Sequence, residues 1–246
     1  MCYKTSDTKT VKEKEQHYKV KIAEERFRSI FDKPRYHING FAHPNMLIIP
    51  MERKDLLAPG VWGIVPEGKT GEDIKPYYKE SVKYGSGLNA QSEKLFSHYL
   101  YREASMVRRC VIPVTGFFEP HHQKNKSFPY YISSGKNELL SLAGIYNVID
   151  TYITFSILTQ KASPLFEHIH NKKKRQPLIL NEDGVEEWLN PDSSMEIIKK
   201  LVQQHYPEEK LDYYTVSKDL YSTKMDTDFP NILDRINYPE LQESLF

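Results

Sequence analysis

Cysteine is nearly absent from this chain: only Cys2 and Cys110 occur in 246 residues. They form no C-x-x-C pair, so no disulfide framework and no thiolate metal site is written in the sequence. Such sparse usage fits a reducing, cytoplasmic setting. Long apolar runs are lacking as well. Nothing approaches the roughly 20 residues that span a bilayer, and the first residues carry no apolar signal segment. A soluble chain with no membrane partner is expected. No charge of one sign dominates, since 34 Lys and Arg stand against 33 Asp and Glu. A global field that pulls the chain to nucleic acid is therefore excluded, and any such binding must use a local basic patch. Internal repeats and low-complexity tracts are missing too.

What is present reads as globular: 39% hydrophobic, 27% charged and 12% aromatic residues. The length suits one large domain or two small ones, and no composition break marks a boundary. Seventeen tyrosines stand out. They can fill a β-rich core while their hydroxyls find partners, or line a surface on which bases stack.

Residues 9–31 are rich in Lys and Glu, and the later apolar positions have helical spacing, which predicts one amphipathic surface helix ended by Lys33-Pro34. The Gly and Pro of 36–44 mark a structured loop. Short apolar runs at 46–50 and 61–66 read as strands. Residues 67–88 show no period and read as a long loop. A helix over about 92–105 and a buried strand at 110–114 follow. Further strands are expected at 128–132, 138–146 and 151–159, in a meander. Ser163-Pro164 opens a short helix or turn. A strand at 177–180, helices at about 182–190 and 192–205, and a strand at about 212–216 complete the pattern. The expectation is an α+β fold with a twisted, barrel-like antiparallel β core and peripheral helices, in a single domain over 1–246. Its core spans about 1–220, and 221–246 form an irregular tail.

Met1-Cys2 opens the chain. Cysteine is small enough for the methionine to be removed, leaving a 1,2-aminothiol. The α-amine has a reference pKa of about 7.7–8.0 and the thiol of about 8.5, so both are partly deprotonated near neutral pH. The amine can condense with an aldehyde and the thiol can then close a five-membered thiazolidine. No internal cysteine can do this. Taken alone, Cys2 reads equally as an ordinary residue of a loose terminus.

Four other features could carry chemistry. Glu119 follows Phe117 and Phe118, and partial desolvation there raises a carboxyl toward acid–base use; alone it is also an ordinary strand-end glutamate. Asn89 is either a cap or a carboxamide that orients a ligand. His168 and His170 form an H-x-H pair, which on a strand puts both rings on one face. His121 and His122 supply no convincing third-ligand spacing, so no metal and no cofactor is expected. His170 is instead a possible proton donor or shuttle. The basic run 172–175 is either a solvated face or a phosphate contact.

Together these blocks resemble the SRAP (SOS response-associated peptidase) family. Met1-Cys2 matches its start, and Asn89-Ala90-Gln91-Ser92-Glu93 its N-A-R-x-E motif. Arg109 to Pro113 with Gly116 to Glu119 resembles its R-C-(L/I)-x-P-x-x-G-(F/W)-(Y/F)-E motif. Ile169-His170 with Arg175 to Leu180 resembles I-H-x-R-M-P-(V/L)-I-L.

The resemblance implies an autopeptidase that removes Met1. It then uses Cys2 to capture the aldehyde of an abasic site in single-stranded DNA as a thiazolidine crosslink. It implies that Asn89 holds the Cys2 amine or the sugar, that Glu119 moves protons, and that His170 protonates the deoxyribose ring oxygen. For DNA contacts it implies Lys4, Pro44, Gln91, Thr159, Lys172 and Arg175, on a monomeric protein.

Four departures are visible, one being that the segment between His170 and Pro177 is about two residues longer than in the family. Gln91 replaces the motif arginine and so lacks a bidentate charged contact. Pro120 replaces a tryptophan. The 67–88 segment shows no aromatic wedge, unless Tyr77, Tyr78 or Tyr84 substitutes. Two rival readings compete: an N-terminal-nucleophile amidohydrolase, and a non-catalytic single-strand-binding module. A family member that has lost crosslinking is a third.

Overall fold

The structure, a computed structural model, describes residues 2–242. The expected removal of Met1 and the last four residues of the tail fall outside the described residues. Fourteen strands are described: β1 (Lys4–Asp7), β2 (Lys21–Ile22), β3 (Arg35–Asn39), β4 (Asn45–Pro50), β5 (Leu56–Trp62), β6 (Asn89–Gln91), β7 (Arg109–Val114), β8 (Gly116–Gln123), β9 (Lys126–Ser134), β10 (Leu140–Ile149), β11 (Tyr152–Lys161), β12 (Arg175–Pro177), β13 (Ile179–Leu180) and β14 (Leu211–Thr215). The described helices are α1 (Val11–Tyr18), α2 (Arg28–Phe31), α3 (Ile74–Ser81), α4 (Arg102–Val107), α5 (Pro164–Ile169), α6 (Glu182–Leu189), α7 (Met195–Leu201) and α8 (Pro239–Gln242). None is long and apolar enough to cross a membrane.

Strands β5, β4, β7, β10 and β11 pair in that order, and β11 returns to β5, closing a five-stranded barrel. The closing β5–β11 pair is parallel, as are β6–β11 and β2–β5, within an otherwise antiparallel set. A second sheet has the order β14-β9-β8-β1-β3. The expected α+β class with a barrel-like core and peripheral helices is what the chain forms.

Alternation along the strands explains the two main cores. In β4, Leu47 and Ile49 face the helices and join Val111, Ile145 and Trp188. Met46 and Ile48 face the other way and join Ile112, Phe117, Ile132 and Phe155 between the two sheets. Strand β7 is buried throughout, because one face lies in each core.

Several boundaries differ from expectation. The single helix over 9–31 is two short helices with β2 between them. α1 is started by a Thr10–Glu13 capping box and stopped by Lys19 in the left-handed conformation, φ 55°. The loop at 36–44 contains most of β3, and the loop at 67–88 contains α3. The strand placed at 61–66 lies earlier, as β5.

The first residues are no loose terminus. β1 is inserted between β3 and β8. Its far end is pinned by Lys14 of α1, which is fully buried and reaches the Asp7 carboxylate at 2.8 Å and the Lys9 carbonyl at 2.6 Å. Gly116 opens β8 because the Tyr131 ring fills its flank; a Cβ there would meet the ring at 2.4 Å.

Candidate active site

The topology delivers four separate stretches to one place. The β1–β8 pairing, with Thr5 opposite Phe117, carries Cys2 toward the stretch of β8 that holds Glu119. β6 lies parallel to β11, with Asn89 opposite Ile157 and Gln91 opposite Thr159. On its other side β11 pairs with β12, setting Arg175 opposite Lys161. His170 caps the C-terminus of α5 and is tied to β12.

Cys2 is fully buried. Burial pushes its thiol well above the usual range and the Glu119 carboxylate raises it further. The expectation of a partly ionised thiol, taken from the free amino acid, is overturned: the sulfur stays protonated until a base removes its proton. Glu119 is only 1% exposed, and burial raises its carboxyl to about 7. This is the shift expected from Phe117 and Phe118, completed by the rest of the core. At neutral pH Glu119 both gives and takes protons readily.

His170 Nδ1 lies 3.1 Å from Glu119 Oε2 and 3.0 Å from the Arg175 carbonyl oxygen. A carbonyl only accepts, so the proton sits on Nδ1 and Nε2 carries the lone pair. Burial lowers His170 to about 4, so the ring is neutral. A neutral ring in this tautomer accepts a proton at Nε2. The Glu119 carboxyl, at about 7, is the group beside it that can carry a proton at neutral pH.

Asn89 follows Leu88, which belongs to the same buried cluster as Cys2 and Ile169. Neither its carboxamide oxygen nor its nitrogen has a hydrogen-bond partner, although both atoms are buried. Its backbone is used: the Asn89 carbonyl accepts from the Tyr101 hydroxyl at 3.4 Å. The side chain thus presents a donor and an acceptor with nothing to satisfy them, the signature of a site built for something else.

The expected DNA contacts scatter. Thr159 is buried, and its hydroxyl accepts from Arg175 Nη2 at 3.1 Å. Arg175 is further held by Glu93 at 2.5 Å and the Thr159 carbonyl at 2.6 Å. Gln91 and Pro44 are half-buried and Lys172 is exposed. Lys4 turns the other way: its ammonium donates to His37 Nε2 at 3.0 Å and to the Leu220 carbonyl at 3.3 Å.

His168 does not share a face with His170, because the pair ends a helix rather than a strand; His168 is exposed and His170 is buried. Among the described residues no group of three or more His, Cys, Asp or Glu is placed to hold a metal ion. Of the three tyrosines weighed as a wedge, Tyr78 is stacked on His43 with its hydroxyl on the Gly63 carbonyl, and Tyr77 packs beside it. Tyr84 is 80% exposed.

Tyr3 follows Cys2, and its ring meets that of Phe41 at 4.8 Å, a contact the sequence did not announce. Phe41 sits in a segment read only as a loop. The β1 strand that places Tyr3 has no apolar alternation to announce it.

Known proteins with related sequences and folds were found. A protein of Bacteroides thetaiotaomicron of solved structure superposes with a TM-score of 0.83 at 31% identity, over 96% of this chain and all of that one. A Bordetella bronchiseptica protein shares the fold with a TM-score of 0.68 at 21% identity, over 88% of this chain and all of its own. The abasic site processing protein YoqW of Bacillus subtilis is 29% identical over 189 residues, 74% of each chain. The abasic site processing protein HMCES of Xenopus tropicalis is 27% identical over 199 residues, 70% of this chain and 56% of its own length. The family described as SOS response associated peptidase (SRAP) matches residues 1–223. The chain belongs to the SRAP family.

Proposed function

We propose that this protein processes abasic sites in single-stranded DNA, forming a thiazolidine crosslink through Cys2. The observation that carries the reading is the surroundings of residue 2. A buried thiol lies within electrostatic reach of a carboxyl at about 7, which itself touches a neutral imidazole. The names of the relatives supply the substrate class.

Hydrolysis of the Met1–Cys2 bond consumes one water and frees the α-amine. The deoxyribose of an abasic site must open before it reacts. His170 Nε2 takes the proton of the C1′ hydroxyl while Glu119, in its acid form, protonates the ring oxygen. The Cys2 amine then adds to the C1′ aldehyde, and the carbinolamine loses water to give an imine. Glu119, now a carboxylate, takes the thiol proton. The sulfur adds to the imine carbon and the ring nitrogen is protonated. One water is lost overall between amine, thiol and aldehyde. The free carboxamide of Asn89 holds the amine or a sugar oxygen through these steps. Gln91 and Lys172 line the strand path, with Tyr84 as a stacking surface, and the buried Thr159 supports that wall by accepting from Arg175. Arg175, already paired to Glu93, shapes the wall. The protein acts as a monomer in the cytoplasm, as a single domain.

The test is a denaturing gel of protein mixed with single-stranded DNA carrying one abasic site. Wild type is expected to give a heat-stable shifted band that is missing with undamaged DNA and with Cys2→Ala. A band retained by Cys2→Ala would sink the assignment.

A further inference from the structure

Lys4 lies where a basic residue next to the reactive end invites a phosphate contact, yet it is already engaged. Alternation in β1 sends Thr5 into the core and Lys4 to the opposite face of the sheet. There Lys4 Nζ meets His37 Nε2 at 3.0 Å and the Leu220 carbonyl at 3.3 Å. An ammonium only donates, so Nε2 must accept. The ring proton then sits on Nδ1 and is given to the Thr227 hydroxyl at 2.6 Å. Burial lowers His37 to about 4 and Lys4 to about 8, which keeps the ring neutral and able to accept.

Thr227 belongs to a segment beyond the residues matched by the family. That segment is fastened along the same sheet. The Asp228 carboxylate accepts from the backbone N–H groups of Tyr36 and His37, at 2.5 and 3.1 Å, on the edge strand β3. Ile232 is fully buried in a cluster with Phe118, Tyr131, Val216 and Leu220, against which Phe229 and Leu233 pack. Ile236 exchanges hydrogen bonds with Thr215 of β14, and the Tyr238 hydroxyl donates to the Val216 carbonyl. The tail read from sequence as irregular is a strap lying across the sheet that carries Cys2.

We infer that Lys4 is a positioning residue, and that the relay Lys4–His37–Thr227 lets the 224–238 strap set the register and rigidity of β1, and through it the position of Cys2. Lys4 is then no phosphate contact. The inference rests on the Cys2 crosslinking proposed above, so the experiment carries one readout that does not.

Three variants are compared with wild type: Lys4→Met, Lys4→Arg and Thr227→Val, with truncation after Thr223 as a fourth. Three quantities are read: the single-turnover crosslinking rate at saturating abasic single-stranded DNA, the affinity for undamaged single-stranded DNA as a function of salt, and hydrogen-exchange protection of the β1 amides. Positioning predicts a rate lower by about tenfold for Lys4→Met, with affinity and salt slope unchanged, because small misplacement of a reacting group is costly. Thr227→Val is expected to lower the rate in the same direction, and Lys4→Arg not to rescue it, since a guanidinium does not fit the seat between His37 and Leu220. Combining Lys4→Met with Thr227→Val should add nothing further. β1 protection should fall in each.

A phosphate contact predicts the reverse: Lys4→Met weakens affinity and lowers the salt slope by about one, Lys4→Arg restores both, and Thr227→Val changes neither. That pattern overturns the inference. If wild type forms no crosslink, the function proposed above fails, while β1 exchange in Thr227→Val and in the truncated chain still decides whether the strap holds the strand. Unchanged exchange in every variant refutes the strap.

Discussion

Two regions of this molecule bury polar groups equally deeply and treat them in opposite ways. Arg109 is 1% exposed, and its guanidinium reaches four carbonyls, those of Trp188 at 2.7 Å, Ser105 at 3.1 Å, Met106 at 2.9 Å and Asn190 at 2.7 Å. Those carbonyls lie in and just beyond α4 and α6, so one side chain closes helix ends that would otherwise be buried without donors. Across the barrel, the Asn89 carboxamide is buried with no partner, and Glu119 is held in an apolar setting that raises its carboxyl. The first arrangement is architecture. The second leaves a buried amide without a partner and a carboxyl desolvated, which costs stability.

Removing the architecture should have the largest effect on stability. Arg109→Ala leaves four carbonyls short of a donor, two of them buried and two part-buried, and is expected to cost about 3–5 kcal/mol, seen as a lower urea midpoint. A loss below about 1 kcal/mol would erase the contrast between the two regions.

Glu119→Gln sharpens it through pH. The folded carboxyl titrates at about 7, above its unfolded value of about 4.3. Between these values the folded chain keeps a proton that the unfolded chain has lost. Wild-type stability is therefore greatest below the unfolded pKa, falls as pH rises through this window, and levels off above the folded value. Gln carries no such penalty. On the alkaline side the variant should gain about 3–4 kcal/mol relative to wild type, with little gain at acid pH. A gain independent of pH would contradict the raised carboxyl. The same variant should crosslink more slowly.

Asn89→Ala should be nearly neutral for folding, within about 1 kcal/mol, since no hydrogen bond of the side chain is lost. Its crosslinking rate should fall by roughly 10- to 100-fold. Lys172→Ala gives the smallest change, a reduction of about one in the salt slope of DNA affinity with the rate intact.

The sequence and the structure agree most where local chemistry decides. Residues 110–114 read as a buried strand because both faces are apolar, and β7 has each face in a core. Gly116 to Glu119 carried the acid–base expectation, and burial of Glu119 fulfils its raised pKa. Failures fall where long-range pairing decides. The one helix over 9–31 is broken at Lys19, a left-handed residue that is neither Gly nor Asn, so no local signal marks the stop. β1 and β3 have mixed polar sequences and are strands through their pairing, β1 with β8 and β3 with β1. α3 lies in a segment whose proline and tyrosines hide its period. Asn89 was legible as a candidate, but not as an orphaned amide, because that depends on what surrounds it in three dimensions. The tautomer of His170 was hidden for the same reason: the Arg175 carbonyl fixes it, and that contact needs β12 in place.

The most direct test of the central claim is the intact mass of the covalent species formed with single-stranded DNA bearing one abasic site, taken before and after borohydride. Thiazolidine chemistry predicts the chain without Met1 plus the DNA minus one water, unchanged by the reductant. A product that retains Met1, or one that keeps the water as a simple thiol adduct, or one that gains two hydrogens as an open imine, would contradict it.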